Sequence, residues 1–216
     1  MLIDDETDYL LFFLDCNFTK IDIAFLLDSS RSINDAGKRN YQMAKDFMKA
    51  IVKSVKVSQN DTRFGAATFS DSNLFSVRFN FSSYSITTEI VNALQGIPYD
   101  AAGTYTGNGL NRIRSELFPM ARSGIPQILI VITYGQSQDS VTIPSRSLRN
   151  MGVHIMSVGI GNAVYGELAN MATDPDNENI FRANFSSIHD LVGSMIENTC
   201  KGNFLLCFVN VLYIPV

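Results

Sequence analysis

Residues 21–32 read IDIAFLLDSSRS. An apolar run with β-branched and aromatic members, Ile21–Leu27, stops at a polar turn, Asp28–Ser32. Such a run reads as a short strand buried on both faces. Beyond the turn, Tyr41, Ala44, Phe47, Met48, Ile51, Val52 and Val55 recur at three- and four-residue steps. That spacing marks one face of a helix. A buried strand, a polar turn and an amphipathic helix together make the first unit of an α/β fold.

The same alternation continues along the chain. TRFGAATF (62–69) predicts a second strand, and LFSVRFNF (74–81) alternates apolar and polar residues as a half-exposed edge strand does. The short joint Ser70–Asn73 suits a hairpin between them. Ile86–Leu94 and Asn108–Leu117 read as helices around a Gly- and Thr-rich loop, 96–107. QILIVIT (127–133) is the most apolar strand. Val141–Asn150 reads as a helix, His154–Val158 and Ile180–Ala183 as strands, and Ile188, Leu191, Val192, Met195 and Ile196 as the face of a last helix capped by Ser186 or Ser187. These segments predict an α/β domain. Its central sheet is doubly wound and mostly parallel, with one antiparallel edge strand and helices on both faces.

Composition narrows the function. The 216 residues carry 17 Lys+Arg against 21 Asp+Glu, for a net charge of −4. An apolar fraction of 46% with 18% charged residues excludes a disordered chain. No basic block is present, which argues against nucleic acid as a partner. Two histidines cannot build a His-rich zinc centre. The run Phe204–Val216 is about 13 residues, short of the ~20 that span a bilayer, so no membrane insertion is expected. Residues 20–201 are expected to form one domain. Residues 1–19 are an N-terminal flank and 202–216 an apolar tail, both with the look of fragment or gene-model edges.

Cys16 and Cys200 lie near opposite ends, with no cysteine between them. Termini of a compact domain often lie close together, so the two can pair, closing a loop worth roughly 5 kcal/mol in the chain-entropy model. Two buried free thiols are the other reading. Cys207 is left over.

In a doubly wound sheet, ligands bind beyond the carboxyl ends of the strands. Asp28, Ser30 and Ser32 alternate at such an end and offer one carboxylate and two hydroxyls. These hard oxygens suit part of a Mg²⁺ shell, to which Thr104 can add another hydroxyl. Helix capping by Ser32 or Asn34, with Asp28 merely ending a strand, fits the bare spacing equally well.

The segment Ile21–Ser32 resembles the opening of a von Willebrand factor type A domain, with its D-x-S-x-S metal motif. RFGAATFSD (63–71), GTYTGNGL (103–110), QILIVITYGQSQDSV (127–141) and GVHIMSVGIG (152–161) follow the same family in order. The texture is closest to the type A domains of matrix proteins such as collagen VI α chains and matrilins. The resemblance implies a metal-ion-dependent adhesion site with Asp28, Ser30, Ser32 and Thr104 as ligands. It also implies the closing disulfide Cys16–Cys200. The implied function is a non-enzymatic adhesion module of a secreted, multidomain extracellular matrix protein, with matrix proteins, collagen among them, as partners.

One departure stands out. The family carries an aspartate in the pattern V-I-T-D-G, where this chain has Tyr134. A neutral phenol replaces a carboxylate, and charge count is a main lever on hard-cation affinity. Mg²⁺ is therefore expected to be weakly bound, with water or Asp139 completing the shell, or absent, with the Tyr134 ring partly covering the site. Arg31, inside the motif, is a candidate contact for an acidic partner group. Tyr105 and Tyr134 are candidate anchors. Asp71, Asp100 and Asp139 read as ordinary turn residues or as an acidic rim.

Four N-x-[ST] triplets make Asn17, Asn60, Asn80 and Asn184 candidate glycan acceptors, although chance alone supplies about three in this composition. Gly159-Ile-Gly161 lacks the third glycine of a dinucleotide loop, and no P-loop or G-x-S-x-G occurs. Two rivals remain. One is a Mg²⁺-dependent phosphoryl-transfer enzyme using the Asp/Ser cluster. The other is an intracellular scaffold domain with free thiols.

Overall fold

The computed structural model describes residues 20–35 and 39–198. Cys16, Cys200 and Asn17 lie outside the described residues, as do both terminal apolar runs.

Six strands form one sheet in the order β3-β2-β1-β4-β5-β6. They are β1 (Ile21–Asp28), β2 (Thr62–Phe69), β3 (Phe75–Phe79), β4 (Gln127–Thr133), β5 (Val153–Ile160) and β6 (Ile180–Ala183). All pairings are parallel except β2 with β3, which is the antiparallel edge. The strand after β1 lies on one side of it and β4 lies on the other, so strand order reverses beside β1. Every residue of β1 and β2 is buried, apolar and polar alike, because each strand has a neighbour on both sides and elements packed over its faces.

The helices are α1 (Ser32–Asp35), α2 (Asn40–Lys53), α3 (Thr87–Gln95), α4 (Thr106–Glu116), α5 (Thr142–Asn150), α6 (Tyr165–Met171) and α7 (Asp176–Asn179). Two apolar layers result, one on each face of the sheet. Ile23, Phe25 and Leu27 pack with Phe47, Met48 and Ile51 of α2 on one side. Ala24 and Leu26 pack with Leu110 and Ile113 of α4 on the other. The alternation of β1 side chains between these layers follows the period of two of a pleated strand.

Some segments differ from expectation. The edge strand is shorter, Phe75–Phe79, because the turn at Asn80 ends it: Asn80 Oδ1 accepts the Ser82 N–H at 2.8 Å. Helix α4 starts at Thr106, inside the expected loop. The last helix opens as a 3-10 turn at Phe185–Asp190 and runs on over 191–198. Ser187 does not cap it, since its hydroxyl donates to Asn184 O at 3.3 Å. Helices α6 and α7 were not expected at all; seven and four residues are too few to show a period.

Candidate functional site

Asp28 is the last residue of β1, at the carboxyl end of the sheet and next to the point where strand order reverses. It is fully buried. Its Oδ1 accepts the Ser30 N–H at 2.8 Å. Its Oδ2 accepts the Thr133 hydroxyl at 3.1 Å and the Tyr134 N–H at 3.3 Å. The parallel register of β1 and β4 makes this link, because Leu27 pairs with Ile132 and so Asp28 faces Thr133. The Ser30 and Ser32 hydroxyls are 2.9 Å apart, in mutual hydrogen-bond contact.

The loop that carries Thr104 is stitched to this turn. Arg31 N–H donates to Ala102 O and Ala101 N–H to Ser29 O, both at 2.9 Å. Ser70, directly after β2, reinforces the seam. Its hydroxyl donates to Gly103 O at 3.1 Å and accepts the Ala102 N–H at 3.0 Å. Below the seam, Ser29 Oγ accepts the Asp100 N–H at 2.8 Å, and the Tyr99 hydroxyl donates to Ser30 O at 3.1 Å. The Asp28 and Thr104 stretches therefore lie at one end of the molecule, on adjoining loops.

A third loop, after β4, closes the arrangement. Gln138 clamps Thr104 through two bonds: its N–H donates to Thr104 O at 2.8 Å, and its Oε1 accepts the Thr104 N–H at 3.0 Å. Ser137 Oγ accepts the Thr106 N–H at 3.0 Å. Asp139 accepts the Gly107 and Asn108 N–H groups at 2.8 and 2.7 Å. It is thus the cap of α4, supplied from a distant loop. Glu167 of α6 accepts the Ser137 N–H at 2.9 Å. Burial and the charge of Asp139 raise the pKa of Glu167, against the lowering effect of that bond.

Ser70, Ser137, Gln138 and Glu167 were missed in the sequence. Ser70 had a positional signal, since it follows a strand adjacent to β1. Glu167 had none, because its helix was not legible.

The two candidate anchors differ in exposure. Tyr134 is only 8% exposed and belongs to the core, with its ring against Gly161. Tyr105 is half-buried, and Arg31 is exposed. Of the acidic residues, Asp100 pairs with Arg78 at 3.1 Å, and Asp71 Oδ1 accepts the N–H groups of Asn73 and Leu74 in its own turn.

The donor chemistry of Asp28, Ser30, Ser32 and Thr104 fits a small hard cation, all four supplying oxygen. Among the described residues, no Lys or Arg pairs with Asp28. Burial raises its pKa above the ordinary 3.8, although bonds from Ser30, Tyr134 and Thr133 favour the anion. A buried carboxylate without a cationic partner is a group whose charge a bound cation would offset. It is the one carboxylate among Asp28, Ser30, Ser32 and Thr104.

Comparison with known proteins agrees with this architecture. The von Willebrand factor type A domain family matches residues 22–194. The collagen alpha-6(VI) chain of Mus musculus is 32% identical over 92% of this chain, human vitrin 31% over 83%, and matrilin-1 of Gallus gallus 31% over 83%. The chain spans 9%, 26% and 36% of those relatives, respectively. The solved structure of proximal thread matrix protein 1 from the mussel byssus, with a zinc-occupied metal-ion-dependent adhesion site, superposes with a TM-score of 0.78. It is 32% identical and is covered over 47% of its length by 86% of this chain. Among the described residues, no helix is long and apolar enough to cross a membrane. The chain belongs to the von Willebrand factor type A domain family, within its secreted, extracellular-matrix branch.

Proposed function

We propose that this chain is a non-enzymatic docking module that engages other matrix proteins, collagen among them, through the loops beyond β1, β2 and β4. In this reading it holds Mg²⁺ only weakly there. The supporting observation is the fully buried Asp28 carboxylate behind the paired Ser30 and Ser32 hydroxyls, with no basic side chain of the described residues joined to it. When bound, the ion would supply a coordination position for an oxygen of the partner. The chain's own residues do the rest. Asp28 orients Ser30 through its N–H. Gln138 holds the Thr104 main chain, and Arg31 stands exposed beside them for an acidic group of the partner. With Tyr134 in place of a second carboxylate, the site carries one negative charge fewer against the ion, and its affinity is correspondingly low. Tyr105 serves as an apolar contact. Residues 20–201 act as one unit of a longer chain, closed by Cys16–Cys200.

The test is binding of the secreted chain to immobilised collagen in Mg²⁺ and in chelator, with Arg31→Glu as a second arm. Weakened binding on chelation and on charge reversal is expected. Binding indifferent to both would remove this face from the function.

A further inference from the structure

We propose that Asn60 carries an N-linked oligosaccharide. The argument starts from a hydroxyl that the fold does not use. Thr62, the first residue of β2, is fully buried, and its Oγ1 has no hydrogen-bond partner among the described residues. Its main chain is fully employed: the N–H donates to Lys56 O at 3.3 Å, and the carbonyl accepts the Ser58 N–H at 3.2 Å. Its neighbour across the ladder is the apolar Ile21. A buried, unpaired hydroxyl destabilises a fold, and valine has the same shape without that cost. Each such group calls for an explanation.

The sequence supplies one, because Thr62 is the third residue of Asn60-Asp61-Thr62. Asn60 is exposed, and its side-chain amide makes no hydrogen bond among the described residues. Its backbone is held in a small turn: Ser58 Oγ accepts the Asn60 N–H at 3.1 Å and donates to Asp61 Oδ2 at 2.7 Å. The turn sits at the amino end of β2, the end of the sheet opposite Asp28, so a glycan there leaves the docking loops clear.

The two other triplets within the described residues lack this signature. Ser82 and Ser186 are exposed serines that need no such explanation, and Asn80 uses its Oδ1 on the Ser82 N–H. The transfer reads Thr62 in the nascent chain, before β2 buries it. Asn60 Nδ2 forms a bond to C1 of an oligosaccharide carried on a lipid pyrophosphate. The C1–O bond to the pyrophosphate breaks, the amide loses one proton, and nothing is oxidised or reduced.

The test is to secrete the 216-residue chain from mammalian cells and map its peptides before and after amidase release of N-glycans in ¹⁸O-water. The Asn60 peptide is expected to carry a glycan and to return as labelled Asp. Asn60→Gln and Thr62→Val should each abolish that one modification. Thr62→Val should melt at a higher temperature than Asn60→Gln, since both lack the glycan and only the former loses the unpaired hydroxyl. An unmodified Asn60 peptide, a glycan that survives Thr62→Val, or a Thr62→Val chain that melts below Asn60→Gln would each overturn the proposal.

Discussion

The ring of Tyr134 rests against Gly161, so closely that a Cβ on Gly161 would lie 2.4 Å from Tyr134 Cε2. Gly161 also has a φ of +60°, in the left-handed region. Two requirements therefore meet at one residue: a backbone conformation that L side chains avoid, and room for an aromatic ring. The Tyr134 ring thus has its place in the core only because residue 161 has no side chain.

Gly161→Ala is expected to destabilise the chain by about 2–3 kcal/mol, from overpacking and from the positive φ. In a Tyr134→Ala background the steric part disappears. A double-mutant cycle by urea unfolding should then show coupling between the two positions. Strict additivity would mean the ring does not depend on the glycine.

Tyr134→Asp is expected to have opposite effects on two properties. It adds a second carboxylate, and Mg²⁺ affinity by calorimetry should rise at least about tenfold. It also empties space in the core, and without metal the variant should lose about 3 kcal/mol of stability. Equal affinity in both proteins would show that charge at this position is immaterial to the site.

At the opposite end of the sheet, Asp22 is fully buried between two arginines. It accepts bonds from Arg63 Nε at 3.0 Å and Nη2 at 2.8 Å, and from Arg122 N at 2.7 Å and Nε at 2.9 Å. Burial alone would raise its pKa, but the hydrogen bonds and charges of Arg63 and Arg122 prevail and hold it below 3.8. A depressed native value means that the stability Asp22 contributes is present above pH 3.8 and is lost as pH falls through that lower value. Asp22→Asn should cost about 3–5 kcal/mol at neutral pH, because the arginines lose their anion. Its stability should also fall less steeply in acid than that of the unmodified chain. Parallel pH profiles for the two proteins would contradict the assignment.

Asp139→Ala uncaps α4 and should cost about 1–2 kcal/mol. Because the neighbouring Gln138 clamps Thr104, loosening this loop should also raise amide exchange at Thr104 and Thr106. Unchanged exchange there would show that the loop is held by other contacts.

Much of the frame was legible. β2 and β4 run over Thr62–Phe69 and Gln127–Thr133 as their apolar runs suggest, and β6 over Ile180–Ala183. Such runs signal themselves because a strand covered on its faces takes apolar side chains at most of its positions, as β4 does. Helix α6 gave no such signal, and with it Glu167 and its bond to Ser137 stayed hidden.

What the amino-acid order determined by itself was the alternation of buried strands with amphipathic helices, and hence a parallel sheet with its loops gathered at one end. Periodicity is local, and a few residues suffice to state it. What only the tertiary structure decided was the employment of each polar or aromatic group in those loops. Asp139 turns to the start of α4, Tyr134 turns to Gly161, and Asp28 is left buried among hydroxyls. A loop side chain takes whichever partner the fold brings within reach, and those partners lie in distant parts of the chain.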